Sequence, residues 1–340
     1  MKKVGMRRMK FLSPALVTGA NGFVGGHLVE ALARQNVKVK LLVRSTSKIP
    51  FKPTTNMEIC YGDVTDLESL RKAMKGVKVV YHLAGILRGS NFSSYRSVNA
   101  EGTRKVCQAA AENKVKRLVY VSSLSAAGPS TEKGPIDETT VPKPVSFYGQ
   151  TKLMGEEIAL SYKKHYPVTV LRPGAVYGPR ETDIFEYFKM VAGGLVVIGG
   201  ADTQKISFVY VDDLVDAILL AAHSKKAEGK SYFVSDGQSY HWGDITAYIG
   251  KALNKSYVTL KLPLGLVKMV ASAGDFIANI TGKSILPPIV SSDKMKEAQV
   301  PGWACKNTKL RQELGFKPKV GIEAGIQKTV EAYRTAGWIR

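Results

Sequence analysis

The stretch that most constrains this chain is Thr18-Gly19-Ala20-Asn21-Gly22-Phe23-Val24-Gly25, which follows the short apolar run Ala15–Val17 and leads into a helix-like segment ending near Gln35. A strand, a glycine turn and a helix in this order make a phosphate cradle. Glycines let the backbone bend sharply and approach a pyrophosphate, while the helix N-terminus offers unpaired N–H groups and a partial positive charge. The spacing is Gly-x-x-Gly-x-x-Gly, not the commoner Gly-x-Gly-x-x-Gly of dinucleotide sites, and glycine-rich turns also arise for steric reasons alone. The turn needs support from the rest of the chain.

That support begins with the order of elements. Apolar runs at Ala15–Val17, Val37–Val43, Glu58–Tyr61, Val77–His82, Leu118–Ser122 and Val168–Leu171 read as short buried strands. Helix-length segments separate most of them, namely Gly22–Gln35, Leu67–Lys75, Val98–Asn113 and Gly149–His165, the last stopping before Pro167. Strands alternating with helices require right-handed parallel crossovers, so the expected fold is α/β, a Rossmann-type doubly wound parallel sheet. The segment from Gly128 to Val145, rich in Pro, Gly and Thr, reads as a surface loop. After Pro179 the alternation loosens into helical stretches at Asp183–Ala192, Asp212–Ala222, Trp242–Leu253, Leu264–Ile280 and Gly321–Ala336. The expected organisation is a basic extension over 1–12, an α/β domain over 13–180 that carries the glycine cradle and is rejoined by segments near 205–235, and a smaller, mostly helical C-terminal lobe over 181–340.

Further motifs follow the glycine turn. Gly62-Asp63-Val64, His82-Leu83-Ala84-Gly85, Val98-Asn99, Ser122-Ser123, Tyr148-x-x-x-Lys152 and Arg172-Pro173-Gly174-Ala175-Val176-Tyr177-Gly178-Pro179 come in sequence, with Tyr210-Val211-Asp212-Asp213-Leu214 and Leu314-Gly315-Phe316-Lys317-Pro318 later. In this order they resemble the extended short-chain dehydrogenases/reductases, the NAD(P)-dependent epimerase/dehydratase family, from about Pro14 to the C-terminus. The resemblance implies that the 13–180 domain holds the nucleotide and that the 181–340 lobe mainly binds the substrate, and it implies a catalytic set of Ser123, Tyr148 and Lys152, with Ser123 matched by its distance from Gly128. It implies cofactor contacts from Gly19, Asn21, Gly22, Phe23, Val24, Gly25, Arg44, Asp63, Val64, Leu83, Ala84, Gly85, Ser122, Tyr148, Lys152, Pro173 and Val176. Within that set Asp63 and Val64 match the adenine contact, and Lys152 the nicotinamide ribose. Asn99 matches a residue that organises the active site; its alternative is a helix N-cap before Ala100.

The residues themselves carry compatible chemistry. Tyr148 and Lys152 are four apart, so on a helix both side chains leave one face. A free phenol titrates near ~10, and a neighbouring ammonium draws that value down, which suits Tyr148 to proton exchange with a substrate oxygen during hydride transfer. An isolated Tyr-x-x-x-Lys would ordinarily be an exposed helix pair. At the end of the second strand, where an acid bonds the adenosine ribose in NAD enzymes, this chain has Arg44, with Ser45 and Lys48 nearby. An arginine there can bond a 2′-phosphate, so NADP(H) is expected over NAD(H); the alternative is an ordinary surface arginine.

Absences narrow the substrate. The family's sugar-nucleotide dehydratases carry Asp-Glu after the catalytic hydroxyl residue, where this chain has Leu124-Ser125. Its nucleotide-sugar epimerases carry polar groups for the diphosphate at positions held here by Ala175, Ile206-Ser207 and Tyr210, although Lys205 or Arg180 offers a replacement charge. What remains resembles the 3β-hydroxysteroid dehydrogenase and dihydroflavonol reductase branch. The expected substrate is a secondary alcohol or ketone of a largely apolar, steroid-, flavonoid- or lipid-like molecule. A nucleotide-sugar epimerase is the second reading, and a non-catalytic nucleotide-binding sensor the third. Phe185, Tyr187, Phe188 and Met190 either line the pocket or pack a helix into the core.

Composition bounds partners and compartment. With 340 residues, 44% of them hydrophobic, the chain can bury a substantial core. Cys60, Cys107 and Cys305 are scattered, which suggests neither a disulfide framework nor a metal site, so a reducing cytoplasmic compartment is expected. Met1–Lys10 is basic and lacks the apolar core of a signal peptide. The net charge of +21 is dispersed and accompanies no nucleic-acid-binding motif, so no nucleic-acid partner is expected. A homodimer is one candidate assembly. Leu262 to Ile289 is unusually apolar, with Leu264, Leu266, Val267, Met269 and Val270. It is either a helix covering the pocket or an interfacial helix making peripheral contact with the inner membrane surface.

Overall fold

The computed structural model describes residues 11–46, 48–89, 91–199, 203–262, 265, 269 and 292–339. Six strands open the fold: β1 (Ala15–Thr18), β2 (Val39–Val43), β3 (Met57–Tyr61), β4 (Val79–His82), β5 (Arg117–Val121) and β6 (Val168–Pro173). Between them run α1 (Phe23–Arg34), α2 (Leu67–Ala73), α3 (Phe92–Arg96), α4 (Thr103–Glu112), α5 (Leu124–Ala127) and α6 (Phe147–Ser161). With a seventh strand, Lys230–Val234, they form one parallel sheet in the order β3-β2-β1-β4-β5-β6-(230–234). This is the expected Rossmann-type arrangement.

Apart from the exposed edge strand β3, the strands read as largely apolar runs because both faces of the sheet are covered. Ala15, Val17, Val79, Tyr81 and Val119 pack with Leu28 and Leu32 of α1 and with Leu214 and Ile218 of helix 211–223. Leu16, Val80, Leu118 and Tyr120, one residue out of phase, pack with Leu70, Val106 and Ala110 on the other face. Strand order reverses between β1 and β4, so the turns leaving their carboxyl ends flank a crevice, the usual ligand position in an open α/β sheet.

The lobe after Pro179 gathers helices 185–192, 242–253 and 322–335 around Phe188, Phe208, Ile249, Ile326 and Tyr333. Tyr187 stacks on Trp242 at 4.3 Å, and Phe185 meets Tyr333 edge-on at 4.8 Å. The aromatic helix thus spends these rings on packing, the core alternative of the two readings. The 128–145 segment is more firmly tied than a surface loop. Ser130, Ile136 and Lys306 exchange backbone hydrogen bonds across the pairing of this segment with 302–306, and Ile136 is buried. Leu124, Ala127, Phe233 and Cys305 form the apolar patch beneath it.

Phe11, assigned above to the extension, packs against the core, whereas Met1–Lys10 and most of the apolar 262–289 segment lie outside the described residues. Among the described residues no helix is long and apolar enough to cross a membrane.

Candidate active site

The glycine turn is shaped by close backbone approach. Gly19 has φ +70, and a Cβ on it would meet the Ala84 nitrogen at 2.9 Å. A Cβ on Gly25 would drive into the Gly19 carbonyl. The turn after β1 therefore rests on the turn after β4, with Asn21, Gly22, Phe23 and Val24 at the mouth and start of α1.

A chain of polar groups inside the sheet fixes these two turns. The Ala84 N–H donates to Thr18 Oγ1 (3.2 Å), Thr18 Oγ1 lies 2.7 Å from His82 Nδ1, His82 Nε2 lies 3.0 Å from Thr103 Oγ1, and Thr103 donates to the Asn99 carbonyl at 2.7 Å. Because the single Thr103 hydroxyl proton goes to Asn99, His82 must donate from Nε2 and accept at Nδ1 from Thr18. Every member is then satisfied with His82 neutral. Burial, with Lys152 adding to it, lowers the His82 imidazole to about 3.

Asn99 is fully buried in a π-helical turn, Ser97–Gly102, that joins α3 to α4. It is not an N-cap, because the helix has already begun at Phe92. Its Oδ1 accepts from the Ile86 N–H at 2.8 Å, and its Nδ2 donates to the Ile86 carbonyl (3.1 Å) and Thr151 Oγ1 (3.2 Å). One side chain thus pins the 83–86 turn to α6. π-turns of this kind recur at functional sites.

Ser123 caps α5 by accepting from the Ser125 N–H at 3.1 Å, which leaves its own hydroxyl proton free to donate. Ser122 Oγ is buried and has no hydrogen-bond partner among the described residues. Gly149, in the first turn of α6, has no room for a Cβ against the Ser125 carbonyl, so α6 lies directly on this segment. Tyr148 is half-buried. Lys152 is buried, donates to the Val121 carbonyl at 2.9 Å, sits 4.3 Å over the Tyr120 ring, and would lie 3.8 Å from a Cβ on Gly85. Burial lowers its ammonium to about 7 against the opposing charge of Glu156. Glu156, one turn further along α6, is buried in a fork with Arg172 at 2.6 to 3.0 Å. Sequence reading missed this pair, although the four-residue step from Lys152 puts Glu156 on the same helix face.

Arg44 is exposed immediately beyond β2, with Ser45 and Lys48 also exposed. Asp63 accepts from the backbone and hydroxyl of Thr65 (2.8 and 2.7 Å), and Val64 is buried against Gly102. Leu83 and Ala84 are half-buried and Gly85 is exposed. Pro173 ends β6, and Val176 lies in strand 175–177, which pairs with 208–210. Ile206 and Tyr210 are buried. Ser207 Oγ is held by Gln238, at 3.2 Å, and by the Cys305 backbone. Arg180 is engaged by Glu30, at 2.7 Å.

The sequence profile of the NAD dependent epimerase/dehydratase family matches residues 15–235, and the chain belongs to that family of NAD(P)-dependent enzymes. It is 26% identical to ceramide reductase of Caulobacter vibrioides, over 95% of each chain. It is 30% identical to N-acetyl-alpha-D-glucosaminyl-diphospho-ditrans,octacis-undecaprenol 4-epimerase of Escherichia coli O157:H7, over 93% of this chain and 94% of the relative. Sterol dehydrogenases are among its further relatives. The solved structure of MoeE5 in complex with UDP-glucuronic acid and NAD superposes with a TM-score of 0.78 at 25% identity, over 95% of this chain and all of the other.

Proposed function

We propose that this protein is an NADP(H)-linked oxidoreductase that interconverts a secondary alcohol and a ketone on a largely apolar, lipid-like molecule. The observation that carries the reading is Lys152, a buried ammonium held at the meeting point of the Gly85 turn, the end of β5 and the first turns of α6. The surrounding residues fit a nicotinamide dinucleotide. A Cβ would fill the cradle at Gly19 and Gly25, and Ser122 Oγ, just past the end of β5, is an unmet buried polar atom among the described residues. The bound cofactor supplies or receives the hydride. Ser123, with its hydroxyl proton uncommitted, holds the substrate oxygen, and Tyr148 gives that oxygen a proton or takes one from it. Lys152 favours the phenolate of Tyr148 and reaches toward the nicotinamide ribose.

The substrate class is supported by Ile206 and Tyr210, buried where diphosphate-binding relatives carry polar groups, and by the engagement of Arg180 with Glu30. The likeness to ceramide reductase and to sterol dehydrogenases points the same way. The likeness to two proteins described with sugar substrates keeps a nucleotide-sugar epimerase as the second reading. Turnover of NADPH against sphingoid, sterol and flavonoid ketones, beside UDP-sugars epimerised without net cofactor consumption, separates the two. Activity confined to the UDP-sugars would overturn the first.

Arg44 supports the cofactor preference, since an exposed guanidinium there can form charge-assisted bonds to a 2′-phosphate. NADPH is expected to bind more tightly than NADH in fluorescence titrations, and Arg44→Asp to narrow or invert the difference. Equal affinities that the substitution leaves unchanged would remove Arg44 from the account.

Peripheral contact with a membrane belongs to the same reading. Strands Leu195–Gly199 and Val258–Leu262 form a two-stranded parallel ribbon in which Leu195 faces Val258 and Val197 faces Leu260. All four side chains are exposed, which makes an aliphatic patch on a strongly cationic protein. Co-sedimentation with anionic vesicles at low salt is expected, and the pair Val258→Asp and Leu260→Asp should abolish it. Wild-type protein remaining in the supernatant would sink this part.

A further inference from the structure

We propose that Asp293 and Glu297 are positioning residues for Tyr148, closing over the N-terminus of α6 from a helix at the far end of the chain. The proposal rests on the assignment of Tyr148 as the proton-transfer group. The first N–H groups of a helix have no intrahelical partner and carry a partial positive charge, so a carboxylate placed there both satisfies and anchors them. In α6 the Phe147 N–H donates to both oxygens of Asp293, at 2.9 and 3.1 Å. Ser146, the N-cap, accepts from the Gly149 N–H at 3.1 Å and donates its own hydroxyl to Glu297 at 2.7 Å. The two residues before Tyr148 and the one after it are thus fixed, directly or through Ser146, by helix 292–298.

That helix is itself anchored. Trp303 Nε1 donates to the Glu297 carbonyl at 2.9 Å, Gln204 Nε2 bonds the Glu297 and Val300 carbonyls at 3.2 and 2.6 Å, and Met295 is buried. Lys296 lies 4.3 Å over the Phe147 ring and 3.4 Å from Asp293, which adds a second grip on the same turn. A phenol in the first turn of a helix moves if that turn frays. Ser146 is the local cap, but the outer restraint comes from residues more than a hundred positions away. Misplacement of a reacting group by about 1 Å is enough to cost up to ~10²-fold in rate.

The test compares steady-state kinetics and cofactor affinity for Asp293→Ala, Asp293→Asn and Glu297→Ala, each also in a Tyr148→Phe background. Asp293→Ala is expected to lower kcat about tenfold, with KM and cofactor Kd within about twofold. Asp293→Asn keeps an oxygen that accepts from Phe147 and should recover most of that loss. In the Tyr148→Phe background Asp293→Ala should have no further effect, because it acts only through the phenol. An unchanged kcat, a parallel loss of cofactor affinity, or a full additional loss in the Phe background would each overturn the positioning role. If Asp293→Ala does not fold, Glu297→Ala decides on the same criteria. Tyr148→Phe with wild-type turnover would instead overturn the underlying assignment.

Discussion

Replacing Tyr148 by Phe is expected to lower turnover by about 10²–10⁴-fold while leaving the melting temperature and cofactor affinity nearly unchanged. Only a hydroxyl is removed, from a half-buried ring on the first turn of α6. The first turn of the helix is held through its backbone by Ser146 and Asp293, and both bonds survive the substitution. Under the proposed roles Ser123 still holds the substrate oxygen and Lys152 keeps its bond to the Val121 carbonyl, so the loss isolates the proton transfer. Single-turnover absorbance of NADPH separates this step from product release. A variant with wild-type single-turnover rates would sink the assigned acid–base role.

Lys152→Met is expected to remove turnover and weaken cofactor binding together, yet to yield a protein at least as stable as the wild type near pH 6. Burial lowers the folded-state ammonium from its ordinary 10.5 to about 7. Between those values the unfolded chain holds a proton that the folded protein has released, so this group's contribution to stability rises with pH across that window. Below about 7 the full cost of burying the charge is present, and a methionine of similar length avoids it. The stability advantage of the variant should therefore be greatest at and below about pH 7 and shrink toward pH 10.5. Glu156 keeps Arg172 as its partner, so no buried carboxylate is left alone. Thermal melts at several pH values, in parallel with cofactor titration, make the comparison. A variant that is less stable at low pH would show that the ammonium is net stabilising where it lies.

Much of this fold was legible because the inner strands are buried on both faces and so appear as largely apolar runs, and because the turn after β1 tolerates no Cβ at Gly19 or Gly25. The Tyr148 and Lys152 spacing was legible for a similar reason, as both lie on one helix. What escaped were relations between distant segments. Thr18 and His82 stand inside motifs with no role of their own, and Thr103 in none, until β1, β4 and α4 lie side by side and their hydroxyls and imidazole fall into one directed chain. The N-cap alternative for Asn99 stayed open because nothing local reveals that the helix begins at Phe92 and passes through a π-turn. The short ribbon of 195–199 and 258–262 was also missed: glycine pairs at 193–194 and 199–200 mark the first strand, but only its pairing with the distant 258–262 segment defines the ribbon.

The seventh strand has a consequence for the order in which the molecule can be made. The outer edge of β6 pairs with Lys230–Val234, and everything from 175 to 229, including the whole of helix 211–223, is threaded between them. As the chain leaves the ribosome, β6 can join β5 at once, but its other edge must wait until that excursion has emerged. An unpaired edge is a template for pairing with a wrong partner. The nascent chain therefore passes through an interval in which the nucleotide half is largely built while one side of it remains open to a neighbouring chain.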